Sequence, residues 1–235
     1  MFDGDRVLPE VWQGFSEKRE AKNMRVGILG SGDVAKSLGR AFLKEGHEVM
    51  PGSREPAKLA SWVRESGKGA SSGTFSETAA FGELMALAVH GTKSVDAIRT
   101  AGVDHFRGKI VIDATNPLEM SASGPPTLVG GLGTSSGELN QRALPDALVV
   151  KAFNTVGNAH FYKPEFAGGP PDMFVCGDDA RAKEQISRLC RDFGWNPVDV
   201  GGIALSHYLE AAAMIWIITA YTGGHWNQAF KLLRK

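Results

Sequence analysis

From Met24 onward the chain alternates short apolar runs with longer stretches in which apolar residues recur every three or four positions. The short runs cover residues 25–29, 48–50, 84–89, 109–114, 148–153, 173–176 and 197–200, with a weaker one at 69–74. Their length suits strands. The helical pattern is clear after residue 33, where Val34, Leu38, Ala41 and Phe42 form one stripe and Gly46 follows where a left-handed cap is cheap. Similar stripes run through 180–191 and 203–220. Strands alternating with helices predict an α/β fold: a doubly wound, mainly parallel sheet with a short C-terminal helical segment.

Residues 1–23 carry neither period and read as an extension or tag, leaving 24–235 as one domain with a C-terminal helical cap. Residues 121–137 are dense in Gly, Ser and Pro, which predicts an irregular loop of the length that often serves as a lid. The longest apolar stretch, 211–220, is shorter than the roughly 20 residues of a membrane span and reads as a buried helix.

With 43% hydrophobic and 22% charged residues the chain can build a sizeable core. Its 26 basic and 26 acidic side chains cancel, so no global field favours nucleic acid or a membrane surface. The first residues lack the apolar core of a secretory signal, and a cytoplasmic protein is expected. Cys176 and Cys190 match no zinc or redox spacing and are expected to be buried free thiols; no metal site is predicted.

The first strand runs into Gly30-Ser31-Gly32-Asp33-Val34-Ala35 and then a helix. A GxGxxG/A pattern in that setting is the dinucleotide fingerprint of a Rossmann fold. Gly30 permits the tight turn, Gly32 lets backbone approach a pyrophosphate, and Ala35 lets helix and sheet pack closely. The helix N-terminus would then offer free N–H groups to the phosphates.

The second strand ends in Ser53-Arg54, with Lys58 one turn on. A hydroxyl, a guanidinium and an ammonium are donors suited to a 2′-phosphate, whereas an NAD site ends this strand in a carboxylate. Glu55 is the one residue nearby that could serve an NAD ribose. The three donors favour NADP(H).

About 35 residues follow the last predicted strand, too few for a substrate domain. The acceptor is therefore expected against the strand ends Val89-His90, Asp113 to Pro117 (with Asn116), and Lys151 to Val156. His90 is either a proton donor or a structural histidine, and Asn154 either a partner for the nicotinamide amide or a turn residue. Lys151, read as opening a strand, is expected at the surface or in a salt bridge. No Ser-His-Asp order and no His-x-x-x-His spacing is present, so hydrolysis and metal catalysis are disfavoured. Hydride transfer between two bound cofactors needs no catalytic side chain.

The segments GILGSGDV (27–34), GSR (52–54) with Lys58, GTF (73–75), DATNP (113–117), KAFNT (151–155), CGDD (176–179) and AFKLLR (229–234) together resemble the NADPH-dependent reductases of coenzyme F420, a deazaflavin hydride carrier. The similarity spans residues 24–234. It implies a homodimer with NADP on Ser31, Gly32, Asp33 and Val34, and with Ser53, Arg54 and Lys58 on its 2′-phosphate. It also implies that 154–158, including Asn154, Val156 and Asn158, lie beside nicotinamide and deazaflavin. The chain departs from the family pattern at Gly157-Asn158, where many members have proline, and at His90-Gly91, where many have Pro-Trp or Leu-Trp. Both departures fall on the acceptor side, so an NADPH-dependent flavin or ferric-chelate reductase and a non-catalytic NADP(H) sensor stand as alternatives.

Overall fold

The computed structural model describes residues 23–130 and 133–235, so the extension expected at 1–23 lies, apart from Asn23, outside the described residues. The strands are β1 (Arg25–Leu29), β2 (Glu48–Gly52), β3 (Leu84–Leu87), β4 (Ile110–Asp113), β5 (Leu118–Glu119), β6 (Thr127–Leu128), β7 (Leu148–Lys151), β8 (Asp172–Gly177) and β9 (Asn196–Asp199). Among the described residues seven of them form one sheet in the order β2-β1-β3-β4-β7-β8-β9. Its pairings are parallel except β7 with β8, which run antiparallel. This is the doubly wound Rossmann arrangement that the alternation predicts.

Helices cover both faces, which explains why the central strands are apolar up to the charged residues that close β4 and β7. Ile110 and Ile112 of β4 pack with α1 (Asp33–Lys44), α2 (Ala60–Ser66) and α6 (Ala180–Asp192). Val111, between them, faces the opposite cluster with α3 (Phe75–Phe81), α4 (Ser94–Ala101) and the segment after α5 (Ser136–Ala143). The alternation along β4 thus separates two cores.

The weak strand expected at 69–74 is reduced to two isolated bridges, Val49 to Ala70 and Gly52 to Gly73. The reason lies in β2. Val49 donates its N–H to the Gly69 carbonyl at 2.8 Å and Ser53 to that of Gly73 at 3.0 Å. The residue midway between these two donors is Pro51, which has no N–H to give, so the ladder is interrupted at its centre.

The expected 121–137 loop is also more structured than its composition suggests. β5 and β6 pair as a small antiparallel hairpin, and α5 begins at Ser136 under a Ser135 cap whose hydroxyl accepts from the Glu138 N–H at 3.1 Å.

The C-terminal α7 (Ser206–Gly223) corrects a second expectation. Leu209, Ala213, Trp216 and Ala220 are buried, but Tyr208, Ile215, Ile218 and Tyr221 are 58%, 57%, 41% and 50% exposed. The helix is buried on one face and apolar on both. With the short turn before it, it spans 21 residues and is long and apolar enough to cross a membrane by length and composition alone. Within the fold it packs on α5 and β6.

Cys176 and Cys190 are buried free thiols, as expected. Burial pushes the Cys176 thiol up to about 12 and raises that of Cys190 as well.

Candidate functional site

The turn from β1 into α1 is built by close approach. Gly30 has φ +145°, and a Cβ there would meet the Ala88 carbonyl oxygen at 2.4 Å and the Ala35 Cβ at 3.3 Å. Only glycine lets the turn sit against the end of β3. Gly32 is the reverse case: nothing lies within 4 Å of a Cβ placed on it, so its outer side is open. Gly32 caps α1 without a side-chain hydrogen bond, leaving first-turn N–H groups for an outside acceptor.

This turn forms one wall of a cleft of about 550 Å³ whose lining includes Gly30, Ser31, Gly32, Ser53, Arg54 and Lys58. Ser53 is buried, and its Oγ accepts from the Glu55 N–H at 3.1 Å, which leaves its own hydrogen free to donate. Lys58 Nζ meets Glu55 Oε1 at 3.0 Å, so one donor expected for a phosphate is already paired. Arg54 is exposed and makes no ion pair among the described residues. The donor set fits a 2′-phosphate, with Glu55 as an internal competitor for Lys58.

Val89 and His90 line the same cleft. The exposed His90 ring is held by a 2.9 Å contact between its Nδ1 and Thr92 Oγ1. Gly91, next to it, packs its backbone on Asn116, to whose carbonyl its N–H donates at 3.2 Å. A Cβ at residue 91 would lie 2.4 Å from that carbonyl oxygen, so the departure at His90-Gly91 brings the ends of β3 and β4 closer than a larger residue permits.

The other expected site residues lie away from the cleft lining. Asp33 and Val34 form the first turn of α1. Asn116 and Asn154 bond to each other across the ends of β4 and β7. Val156 is buried in the core, and Asn158 Nδ2 donates to Ser37 Oγ of α1 at 2.9 Å. Before Asn154, Phe153 adopts φ +62°, a region that non-glycine residues rarely enter. Its ring is buried edge-on against Phe161 at 5.6 Å, and this packing offsets the strain and aims the next residue. Asn154 is 5% exposed, both its amide hydrogens are used, and its Oδ1 is buried without a partner.

Lys151 is in a salt bridge, one of its two expected places, but a buried one rather than one at the surface. It closes β7 rather than opening a strand, and its side chain is fully buried. Its Nζ lies 2.9 Å from both Asp113 Oδ2 and Glu210 Oε1, and it donates to the Thr115 carbonyl at 2.8 Å. Burial alone lowers an ammonium's pKa, but the two carboxylates, Asp113 and then Glu210, outweigh it and hold that of Lys151 above the usual value.

Phe75, named from the sequence only as part of the GTF segment, also lines the cleft, as do three residues that sequence reasoning did not single out, Lys93, Asp96 and Thr100. The last three recur at helical spacing at the start of and along α4, a polar stripe beside its buried face. Sequence reasoning also passed over Glu210, whose signal was a lone acidic residue in an apolar helix. Among the described residues no cluster of three His, Cys, Asp or Glu could hold a metal ion.

Residues 25–117 match a family model described as NADP oxidoreductase, coenzyme F420-dependent. A crystal structure of a proposed F420-dependent NADP reductase from Arthrobacter sp. FB24 is similar at 34% identity and a TM-score of 0.85, over 90% of this chain and 100% of that one. Metalloreductase STEAP3 of Rattus norvegicus is 31% identical over 90% of this chain and 39% of its own length. The chain spans about two fifths of the length of the curated relatives it matches. An imine reductase from Myxococcus stipitatus in complex with NADP+, at 15% identity and a TM-score of 0.62 over 86% of this chain and 63% of that one, shares the fold.

Proposed function

The chain belongs to the family of coenzyme F420-dependent NADP oxidoreductases, and from that premise we propose that it transfers hydride between NADP(H) and the deazaflavin ring of coenzyme F420. The observation that carries the reading is one cleft joining an open glycine turn at an uncapped helix N-terminus to Ser53, Arg54 and Lys58. The turn and the first N–H groups of α1 hold the diphosphate, and the three side chains hold the 2′-phosphate. When bound, NADPH supplies hydride from C4 of its nicotinamide. Asn154 Oδ1, a buried acceptor with no partner, is suited to accept from the nicotinamide carboxamide. The residues at the ends of β3, β4 and β7 orient the reacting ring and exclude water from it.

Anaerobic mixing of the protein with NADPH and oxidised F420 should bleach the deazaflavin's visible absorption. Turnover with flavins or ferric chelates and none with F420 would replace this reading with the second one, which the likeness to a metalloreductase over most of this chain favours. There the same NADPH end reduces a flavin or a ferric chelate, the metal being substrate. NADPH binding without oxidation by any of these acceptors would leave a sensor.

The reading includes a homodimer. Tyr208, Ile215, Ile218 and Tyr221 form an exposed apolar row along α7, and a second copy would bury it.

A further inference from the structure

A neutral Asp113–Lys151 pair would satisfy the buried ammonium by itself, yet α7 brings a second carboxylate, Glu210, into the same enclosed space. Burying an extra charge is costly, so its presence needs a reason. The hydrogen bonds show which forms the acids take. Asp113 Oδ1 accepts from the N–H and the hydroxyl of Thr115 at 2.9 and 2.7 Å, and its Oδ2 accepts from Lys151. Glu210 Oε1 accepts from the Ser136 hydroxyl at 2.6 Å, from the Gly137 N–H at 3.3 Å at the start of α5, and from Lys151. Glu210 Oε2 has no partner to which a carboxylic proton could be donated. The three hydrogen-bonded carboxyl oxygens, Asp113 Oδ1 and Oδ2 and Glu210 Oε1, meet donors only, which is the pattern of two carboxylates against one ammonium. Cys176, level with Lys151 on β8, adds no charge, because burial pushes its thiol up to about 12.

We infer that the Asp113–Lys151–Glu210 cluster carries one buried negative charge that favours the oxidised nicotinamide over the reduced one. This rests on the reading that the ends of β3, β4 and β7 receive the nicotinamide. When hydride leaves C4 with its two electrons, the neutral ring becomes a cation, and the acceptor gains the hydride and then a proton from water. A fixed anion in the adjoining, water-free strand ends lowers the energy of the cationic product. It therefore makes bound NADPH a stronger hydride donor. The cluster touches no reacting atom; Glu210 and Asp113 act through their field.

The test is a set of binding titrations on the full chain with NADPH, NADP+ and 2′,5′-ADP, for the wild type, Glu210→Gln, Asp113→Asn and Lys151→Arg. Each neutralising variant should raise the ratio of the NADP+ to the NADPH dissociation constant about three- to tenfold, the size of a partly screened interaction with one buried charge. Lys151→Arg keeps the charge and should return the wild-type ratio. The affinity for 2′,5′-ADP, which lacks the ring, should stay constant throughout. If Glu210→Gln does not fold, Asp113→Asn decides. A ratio unchanged by neutralisation overturns the inference while leaving the NADP site standing. Failure of the wild type to bind 2′,5′-ADP removes the site reading and the inference with it.

Discussion

Asn116 and Asn154 lock the ends of two neighbouring strands together: Asn116 Nδ2 donates to the Asn154 carbonyl at 2.8 Å, and Asn154 Nδ2 donates back to Asn116 Oδ1 at 3.0 Å. A second bond from Asn154 Nδ2 reaches the Leu209 carbonyl at 3.0 Å, so the pair also anchors α7. Because both amide hydrogens are engaged, the orientation of Asn154 and its free Oδ1 follow from the network. Asn116→Ala should strip Asn154 of two partners and cost about 1–3 kcal/mol, since buried groups are left unpaired. Thermal denaturation checks the stability loss, and NADPH oxidation should slow in parallel. An unchanged melting temperature would show that the pair holds nothing.

Arg54→Ala should weaken NADPH by about 1.5–3 kcal/mol, the worth of a hydrogen bond to a charged group, and leave NADH nearly untouched. Parallel titrations with the two cofactors decide the matter, and equal losses would contradict the phosphate assignment. Glu55→Gln, which frees Lys58 from its 3.0 Å partner, should tighten NADPH by up to about fivefold, because an exposed pair of this kind is worth about 0–1 kcal/mol.

Lys151→Met should be severe. It leaves Asp113 and Glu210 facing each other without their shared cation, and removing one partner of a buried ion pair costs about 3–5 kcal/mol. Calorimetry should record a fall in melting temperature on the order of 10 °C.

Stability should fall with pH through His47. The ring is buried, accepts the Met24 N–H on Nδ1 at 3.3 Å, and has its pKa lowered below 6.5 chiefly by burial. The folded state thus binds the proton less readily than the unfolded chain. The stabilising contribution is complete above pH 6.5 and is lost as pH drops below that value toward the folded pKa. Melting curves between pH 7.5 and 5 should show this slope in the wild type and a shallower one in His47→Gln.

Ile215→Glu places a charge in the middle of the exposed α7 row, where Ile215 is 57% exposed. Light scattering should find a dimer for the wild type and a monomer for the variant, with the melting temperature nearly unchanged. A monomeric wild type would refute the dimer.

Local signals were legible because their cause is local. The turn needs a residue without a side chain at Gly30, Gly32 two positions on leaves its outer side open, and a strand, turn and helix in succession put both glycines where a phosphate can reach the backbone. Ser53, Arg54 and Lys58 likewise follow one strand closely enough to share a corner. The edge at 69–74 was harder to read, because it depends on which carbonyl Pro51 fails to meet on a neighbouring segment. So was the hairpin at 118–128, whose two strands pair over only two residues each.

By itself the sequence determined the alternating α/β order, the mainly parallel sheet, and the dinucleotide turn, since each is set by periodicity or by the conformational range of a few adjacent residues. Only the tertiary structure decided that Lys151 is a buried cation between Asp113 and Glu210, 38 and 59 positions away, and that Asn116 and Asn154 brace the strand ends. It also decided that α7 keeps a second apolar face outside. Burial and charge pairing between distant segments depend on which strands become neighbours, and no local pattern in this chain encodes that.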